Sequence, residues 1–525
     1  MFARLLLFAS LFLASPALAQ KPGGILKATD FDSPASMSPL EEATVSVAIP
    51  VTAVFNNLVM FDQHVPQNSA SSIVPDLARS WSWNPEGTAL TLKLQQGVKW
   101  HDGLNFTAAD VKCTWDLLQG KGEARLRINP RKSWYRNLDE VTSNGDDEVT
   151  FHLKRPQPSF IVLLAAGWSV VYPCHVPPAQ MRTHPIGTGP FKFVEFKQNE
   201  FIKLAKNPDY WKLGRPYLDG IEWSIIANVS TRNMAFIAGQ VDMAWPYSIG
   251  FPVLNDVKAQ APTAICEATA INGARNVLIN ATVPPFDNKL LRRAIALSLD
   301  RQAFIDILGN GHGDIGAALL PPPEGVWGMP PDLLKTLPGY GPDIAANRAE
   351  ARKIMEGLGY GPDKRLVTKI STRNLAAFKD PAVIVGDQLK EIYIDGDLDI
   401  VDTPNWYPKV ARKDYTIGVA VSENGLDDPD QQFYENYVCG ADRNYTGYCN
   451  PEVDALIDQQ SAETDVEKRK HLVWDIERRL VEDGARPAIF HPRSNTCWYP
   501  QVKGLNVVVN SIYNGWRLED VWLDR

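Results

Sequence analysis

Arg373 has the type and the position to do specific chemistry. It ends the strand-like run Val367 to Ser371 and precedes a segment that reads as a helix, so its guanidinium could fork onto a carboxylate or phosphate. An ordinary salt bridge between lobes fits the same pattern equally well. Other polar and aromatic residues fall on predicted loops: Trp245 with Tyr247, Asn374 beside Arg373, Asn405 with Trp406, and Asn424, Gly425 and Asp427. Loops at strand ends are where α/β lobes present ligand-contacting groups.

Covalent chemistry finds little support. The chain has no GxSxG elbow, no HExxH and no SxxK with its partner motifs; Gly167, Trp168, Ser169 comes nearest and lacks the final glycine. Its 8 His never stand at the i, i+4 spacing that puts two metal ligands on one helical face. Gly309, Gly311 and Gly313 follow a helix where a dinucleotide loop would open one, so they read as a terminator. Asp427 and Asp428 are adjacent, but one such pair among 61 acidic residues is weak support for acid/base catalysis. Lys468, Arg469 and Lys470 are answered by Glu467, Asp475 and Glu477 and read as a solvated helix face. His101, Asp102 and Gly103 read as a turn.

The elements that must carry these residues come in two styles. Leu90, Leu92 and Leu94 alternate with polar residues, as do Val149, Phe151 and Leu153, the pattern of half-buried strands. Between them Thr107 to Asp110 opens a helix with Val111, Trp115 and Leu118 on one face, so 56–186 reads as a small α+β unit. Strands resume at Phe191 to Phe196 and Phe201 to Leu204. From about residue 285 helices alternate with strands: Asp287 and Asp300 are expected as caps, Asp380 and Pro381 as a cap and first-turn pair, then a strand at Leu398 and Ile400. Asn450 with Pro451, and Asp465, open two more helices. Val507 to Val509 reads as a strand, and Trp516 to Trp522 as a short terminal element. Helix and strand in alternation imply an α/β lobe with crossover connections. GYGPD occurs at Gly339 to Asp343 and at Gly359 to Asp363, a shared turn on either side of one helix.

The N-terminus sets the compartment. Met1 to Arg4 give a positive start, Leu5 to Leu13 an apolar run too short to span a bilayer, and Ala17, Leu18, Ala19 a cleavage pattern, so 1–19 is expected to be a signal peptide. Export permits disulfides among the 6 Cys. Cys439 with Cys449, around a turn-rich loop, is the expected pair; Cys113 with Cys174 and Cys266 with Cys497 rank below it, and free buried thiols stay open. At 525 residues and a formal charge of -8, with 45% hydrophobic and 22% charged residues, the chain is globular, of several domains, and a poor nucleic-acid binder.

Several segments resemble the family 5 solute-binding proteins of ABC importers, the dipeptide, oligopeptide and nickel group. The likeness runs through Pro75, Asp76, Leu77, Ala78, then Gly97, Val98, Lys99, Trp100, His101, Asp102, Gly103, then Gly187, Thr188, Gly189, Pro190, Phe191, and on through Asn207, Tyr210, Trp211, Leu291, Arg292, Asp300, Arg301, Asn450 and Pro451. It covers nearly the whole mature chain. The resemblance implies an α/β, two-lobed class C periplasmic binding protein with an inserted small α+β domain. Lobe one would comprise 20–55, 187–265 and 486–525, the inserted domain 56–186, and lobe two 266–485.

The same resemblance implies capture of a small polar ligand, a peptide or other small organic solute, between the lobes in the periplasm, and delivery to an ABC permease in the inner membrane. No cofactor, metal, nucleic acid or covalent step is implied, and the protein would be a monomer. A sensor or chaperone-like binding protein of the same fold, or an exported hydrolase with an unrecognised site, are the alternatives. Dipeptide-binding members use an Arg for the peptide carboxylate where this chain has Arg373, and a Trp against the ligand where it has Trp406. They place an Asp three residues before the acidic-Pro step; here that position is Gly425, with Glu423 and Asp427 displaced from it. Amine recognition in the dipeptide manner is therefore not expected, and the scattered His argue against a nickel complex.

Overall fold

The computed structural model describes residues 20–246, 248–423, 425–508 and 514–525. The expected signal peptide, Tyr247 and Asn424 lie outside the described residues, and so does Val509.

One lobe is built on a four-stranded sheet in which Ile25–Asp30 lies parallel to Gly220–Ile225, followed by the antiparallel strands Phe201–Lys206 and Phe191–Lys197. Beside it Ala78–Trp83, Ala89–Leu94, Glu148–Leu153 and Leu138–Asn144 form an antiparallel sheet packed by the helix Ala108–Gln119. That helix starts where TAAD predicts, because Thr107 and Asp110 exchange a capping box. Asp110 also accepts from the Trp100 indole at 3.3 Å and from the Cys174 amide at 2.9 Å. His101 is a structural residue: its Nε2 donates to the Gly189 carbonyl at 3.0 Å and its Nδ1 accepts from the Gly187 amide at 3.3 Å. That pattern suits only the neutral ring.

The other lobe has a seven-stranded sheet, in the order Ile265–Ala270, Ala488–Trp498, Gly273–Ile279, Ile417–Glu423, Leu366–Arg373 and Ile394–Val401, with Gly313–Asp314 paired to the second of these. Leu366–Arg373 is parallel to both of its neighbours. The helix Ala376–Lys390 carries the chain from it to one side, and the helix Thr403–Ala411 carries it back to the other side. Strand order therefore reverses at Leu366–Arg373, which makes its carboxyl end a topological switch point. A helical layer of Pro429–Asn436, Pro451–Ala462 and Val466–Glu482 packs alongside.

Two strands tie the lobes together. Ala488–Trp498 pairs with Gly273–Ile279 near its start and with Ile265–Ala270 along the rest, and Trp498 bridges to Met243, which bridges in turn to Ala28 of the first lobe's sheet. Disulfides join Cys266 to Cys497 across this pair, Cys113 to Cys174, and Cys439 to Cys449. All six cysteines are thus bonded, so the free-thiol alternative falls.

Three local expectations need correction. Asn288, not Asp287, caps Lys289–Ser298, because its side chain reaches the Leu290 amide. Pro381 lies inside the helix Ala376–Lys390, whose cap is Leu375; helix packing outweighs the hydrogen bond that the proline cannot donate. Val507 and Val508 are not in a strand, and the described C-terminus instead pairs Trp522–Leu523 with Val502–Lys503. Both copies of GYGPD are turns with the first glycine left-handed, Gly339 at φ +80° and Gly359 at φ +85°. No helix among the described residues is long and apolar enough to cross a membrane.

Candidate functional site at the seam between the lobes

Arg373 stands at the switch point, and its side chain is only 3% exposed. Its Nε donates to Thr403 Oγ1 at 2.8 Å, and its Nη2 donates to the carboxylate of Asp32 in the opposite lobe. The guanidinium lies over the rings of Phe378 at 5.2 Å and Tyr407 at 5.7 Å. Asp32 follows the strand Ile25–Asp30, in the turn where the Asp30 carboxyl accepts from the amides of Phe31 at 2.6 Å and Asp32 at 3.3 Å. Burial raises the Asp30 carboxyl well above its usual range, with the Asp32 charge adding to the effect. Two of the acids on this wall thus belong to one short turn.

The segment after Ile417–Glu423 meets the first lobe through its backbone. The Gly425 carbonyl accepts from Asn514, whose side chain also donates to Asn68 at 3.0 Å and accepts from the Gly167 amide at 2.8 Å. Leu426 is buried in the first lobe's core cluster, and its carbonyl accepts from Asn272 at 2.6 Å. Asp427 turns the other way. Its carboxyl accepts from the Val326 amide at 3.0 Å and its carbonyl from the Trp327 indole at 2.9 Å, which fastens a proline-rich loop. Burial pushes this carboxyl up to about 7, the Val326 amide opposing and the Asp428 charge adding.

Asp428 and Asp430 are structural acids. Arg469 holds Asp428 through two bonds of 2.9 Å, while Asp430 accepts from Gln460 and Ser461 of its own lobe and from Gln157 and Ser159 of the α+β unit. Trp134 donates to Glu435 at 3.1 Å across the same junction, and Arg155 pairs with Asp458 at 2.7 Å.

The aromatic candidates separate. Trp245 packs against Phe31, ring centroids 5.0 Å apart, and against Trp223 at 5.7 Å, and its amide donates to Thr29 at 2.8 Å. It therefore stands beside the turn that presents Asp32. Trp406 is 1% exposed, in a cluster with Leu278, Phe378, Val410 and Tyr415, so it supports the floor under Arg373. Asn374 and Asn405 are exposed near the same strand end. The structure brings Arg373, Trp406 and Trp245 to one region, and Gly425 to the seam. Among the described residues no group of three or more His, Cys, Asp and Glu could hold a metal ion.

A family profile described as "Bacterial extracellular solute-binding proteins, family 5 Middle" matches residues 72–444. The chain belongs to this family. This family 5 protein is 25% identical over 504 residues to the glutathione-binding protein GsiB of Pectobacterium atrosepticum, covering 91% of this chain and 90% of that one. It is 26% identical to the oligopeptide-binding protein AppA of Bacillus subtilis, covering 83% and 81%. Its fold matches that of Helicobacter pylori DppA in complex with the peptide STSA, at a TM-score of 0.84 and 21% identity, over 96% of this chain and 99% of that one. It also matches AgaA of A. tumefaciens R10 in complex with agropinic acid, at 0.80 and 22%, over 96% and 99%. Being of family 5, the protein is a solute-binding component of an ABC importer that works with a membrane permease, from a family of binding proteins.

Sequence reading had missed Asp32, Thr403, Asn514 and the junction of Asp430 with Gln157 and Ser159. Only Asp32 carried a local signal: an apolar strand ending in Asp30, Phe31, Asp32, Ser33, Pro34 is a strand followed by a turn rich in acids.

Proposed function

We propose that this family 5 protein captures a short peptide or a similar small amide-bearing organic solute in the periplasm, binds it between its lobes without altering it, and presents it to the permease. The observation that carries this reading is the convergence of both lobes on the switch point at Arg373. Ligand-contacting groups of open α/β sheets gather outside the carboxyl ends of strands at such points. The names of GsiB and AppA and the bound ligands of DppA and AgaA favour solutes resembling glutathione, short peptides or agropinic acid.

The lobe assignment we propose is 20–55, 187–265 and 486–525 for lobe one, 56–186 for the inserted domain and 266–485 for lobe two, with the strand Ala488–Trp498 of the last lobe-one segment running into lobe two's sheet. The pairing of Ile25–Asp30 with Gly220–Ile225 supports joining the first two of these segments. Within the site we propose Arg373, Trp245, Trp406, Tyr247 and the segment Asn424, Gly425, Asp427 as the groups that bind the solute or hold the wall around it. A solute that touches both lobes binds the closed form better than the open one, and that difference shifts the hinge equilibrium toward closure. Micromolar capture needs about 8 kcal/mol, within reach of several buried hydrogen bonds and aromatic contacts.

Calorimetric titration with glutathione, with defined di- to pentapeptides and with sugar–amino acid conjugates tests the proposal. Saturable 1:1 binding, with the titrant recovered chemically unchanged, is expected. Turnover of a titrant would replace this reading with the hydrolase one.

A further inference from the structure

We propose that Asp32 and Arg373 form the latch between the lobes, and that because each neutralises the other, the site selects a solute that is uncharged at the end facing Arg373. An amide, carbonyl or hydroxyl would stand there in place of a free carboxylate. The inference rests on the solute-capture reading above and narrows its ligand class.

The geometry on both sides is built for the pair. Arg373 is fixed by Thr403 at its Nε and by the rings of Phe378 and Tyr407, so its Nη2 meets the opposite lobe without further ordering. Asp32 is fixed by the turn that the Asp30 carboxyl holds through two backbone amides. The Asp32 side chain is 15% exposed and that of Arg373 3%, so both charges lie mostly out of water when the lobes meet. Breaking such a pair by removing one member leaves the other charge buried and uncompensated.

This arrangement penalises an acidic solute at that end. A second carboxylate would have to displace Asp32 from the guanidinium, and it would then sit beside the Asp32 charge. A neutral acceptor brings no such repulsion and leaves the latch closed. Beside the latch, Asn514 donates to the Gly425 carbonyl across the seam, a bond between neutral groups.

Two measurements test the latch and its selectivity. Small-angle scattering of the ligand-free protein should find Asp32→Asn and Arg373→Gln each more extended than the wild type, with circular dichroism unchanged. Should Arg373→Gln fail to fold, Asp32→Asn, altered on the more exposed side, carries the comparison. Compactness identical to wild type in the folded variants would overturn the latch. Thermal-shift titration then compares one set of di- to pentapeptides as free acids with the same sequences as C-terminal amides. Amides binding more tightly than the matching acids are expected; equal affinity or a preference for the acids would overturn the selectivity and return Arg373 to a carboxylate-reading role. If neither set binds, the peptide reading fails on its own, and the scattering still decides the latch.

Discussion

Arg517 donates to Asp76 at 2.8 Å across 441 positions of sequence, and both side chains are buried. Lys212 reaches the same carboxylate at 3.1 Å and Glu519 at 2.8 Å, while Asn57 and Asn56 each donate to Asp76 at 2.9 Å. This knot holds the C-terminal segment, the middle segment and the entry to the α+β unit together.

Removing its central acid should destabilise the fold. Asp76→Ala leaves Arg517 and Lys212 buried without their shared partner, and we expect a loss of about 3–5 kcal/mol in urea unfolding. Burial alone would raise the Asp76 carboxyl, yet Arg517 and Lys212 outweigh it and hold it below the usual range. Its contribution is therefore full at neutral pH and fades as pH falls through the folded-state value. A loss under about 1 kcal/mol would show that the knot is dispensable.

His101 offers a cleaner pH experiment. Burial depresses its ring to about 4, against the bond to Gly189, so the folded protein keeps it neutral while the unfolded chain takes up a proton from about pH 6.5 downward. Wild type should thus lose stability relative to His101→Gln as pH drops from 6.5 to 4, with a constant difference above 7. A difference that does not move over that window would mean the ring is charged in the fold.

Trp406 distinguishes a wall from a ligand contact. With the indole 1% exposed against Leu278, Phe378, Val410 and Tyr415, Trp406→Ala should cost about 3–5 kcal/mol of stability. If thermal unfolding is unchanged and only solute affinity drops, Trp406 faces the solute and not the core.

The bridge Cys439 to Cys449 closes a short loop, with a sequence separation of 10. Replacing both cysteines by serine should cost about 3 kcal/mol through the freed chain entropy, without altering the Asp32 and Arg373 latch. Differential denaturant melts, with scattering as the control, check both halves of that statement.

What could be seen in the sequence was what depends on neighbours in the chain. The alternation at Leu90, Leu92 and Leu94 gave Ala89–Leu94, and Thr107 with Asp110 gave the start of Ala108–Gln119, because pleat and capping are local. Arg373 was recognisable as a strand-end cation for the same reason. Its partner was not: Asp32 lies 341 residues away, and nothing local encodes how two lobes will face each other. Asn514 and Asp430 escaped for the same reason, their partners arriving from other segments. The misplacement at Asp380 and Pro381 has a different cause. A local cap signal lost to the packing of Val385 and Leu389 against the sheet, which carries the helix back to Ala376.

The central claim is that one solute is held between the lobes and leaves unchanged. Native mass spectrometry tests it most directly, on protein purified without denaturation and then incubated with the peptide and amide sets. The account predicts a single adduct per chain, released on unfolding at the mass of an intact compound and able to rebind. Protein that never carries an adduct, or a released compound whose mass differs from what was supplied, would contradict it.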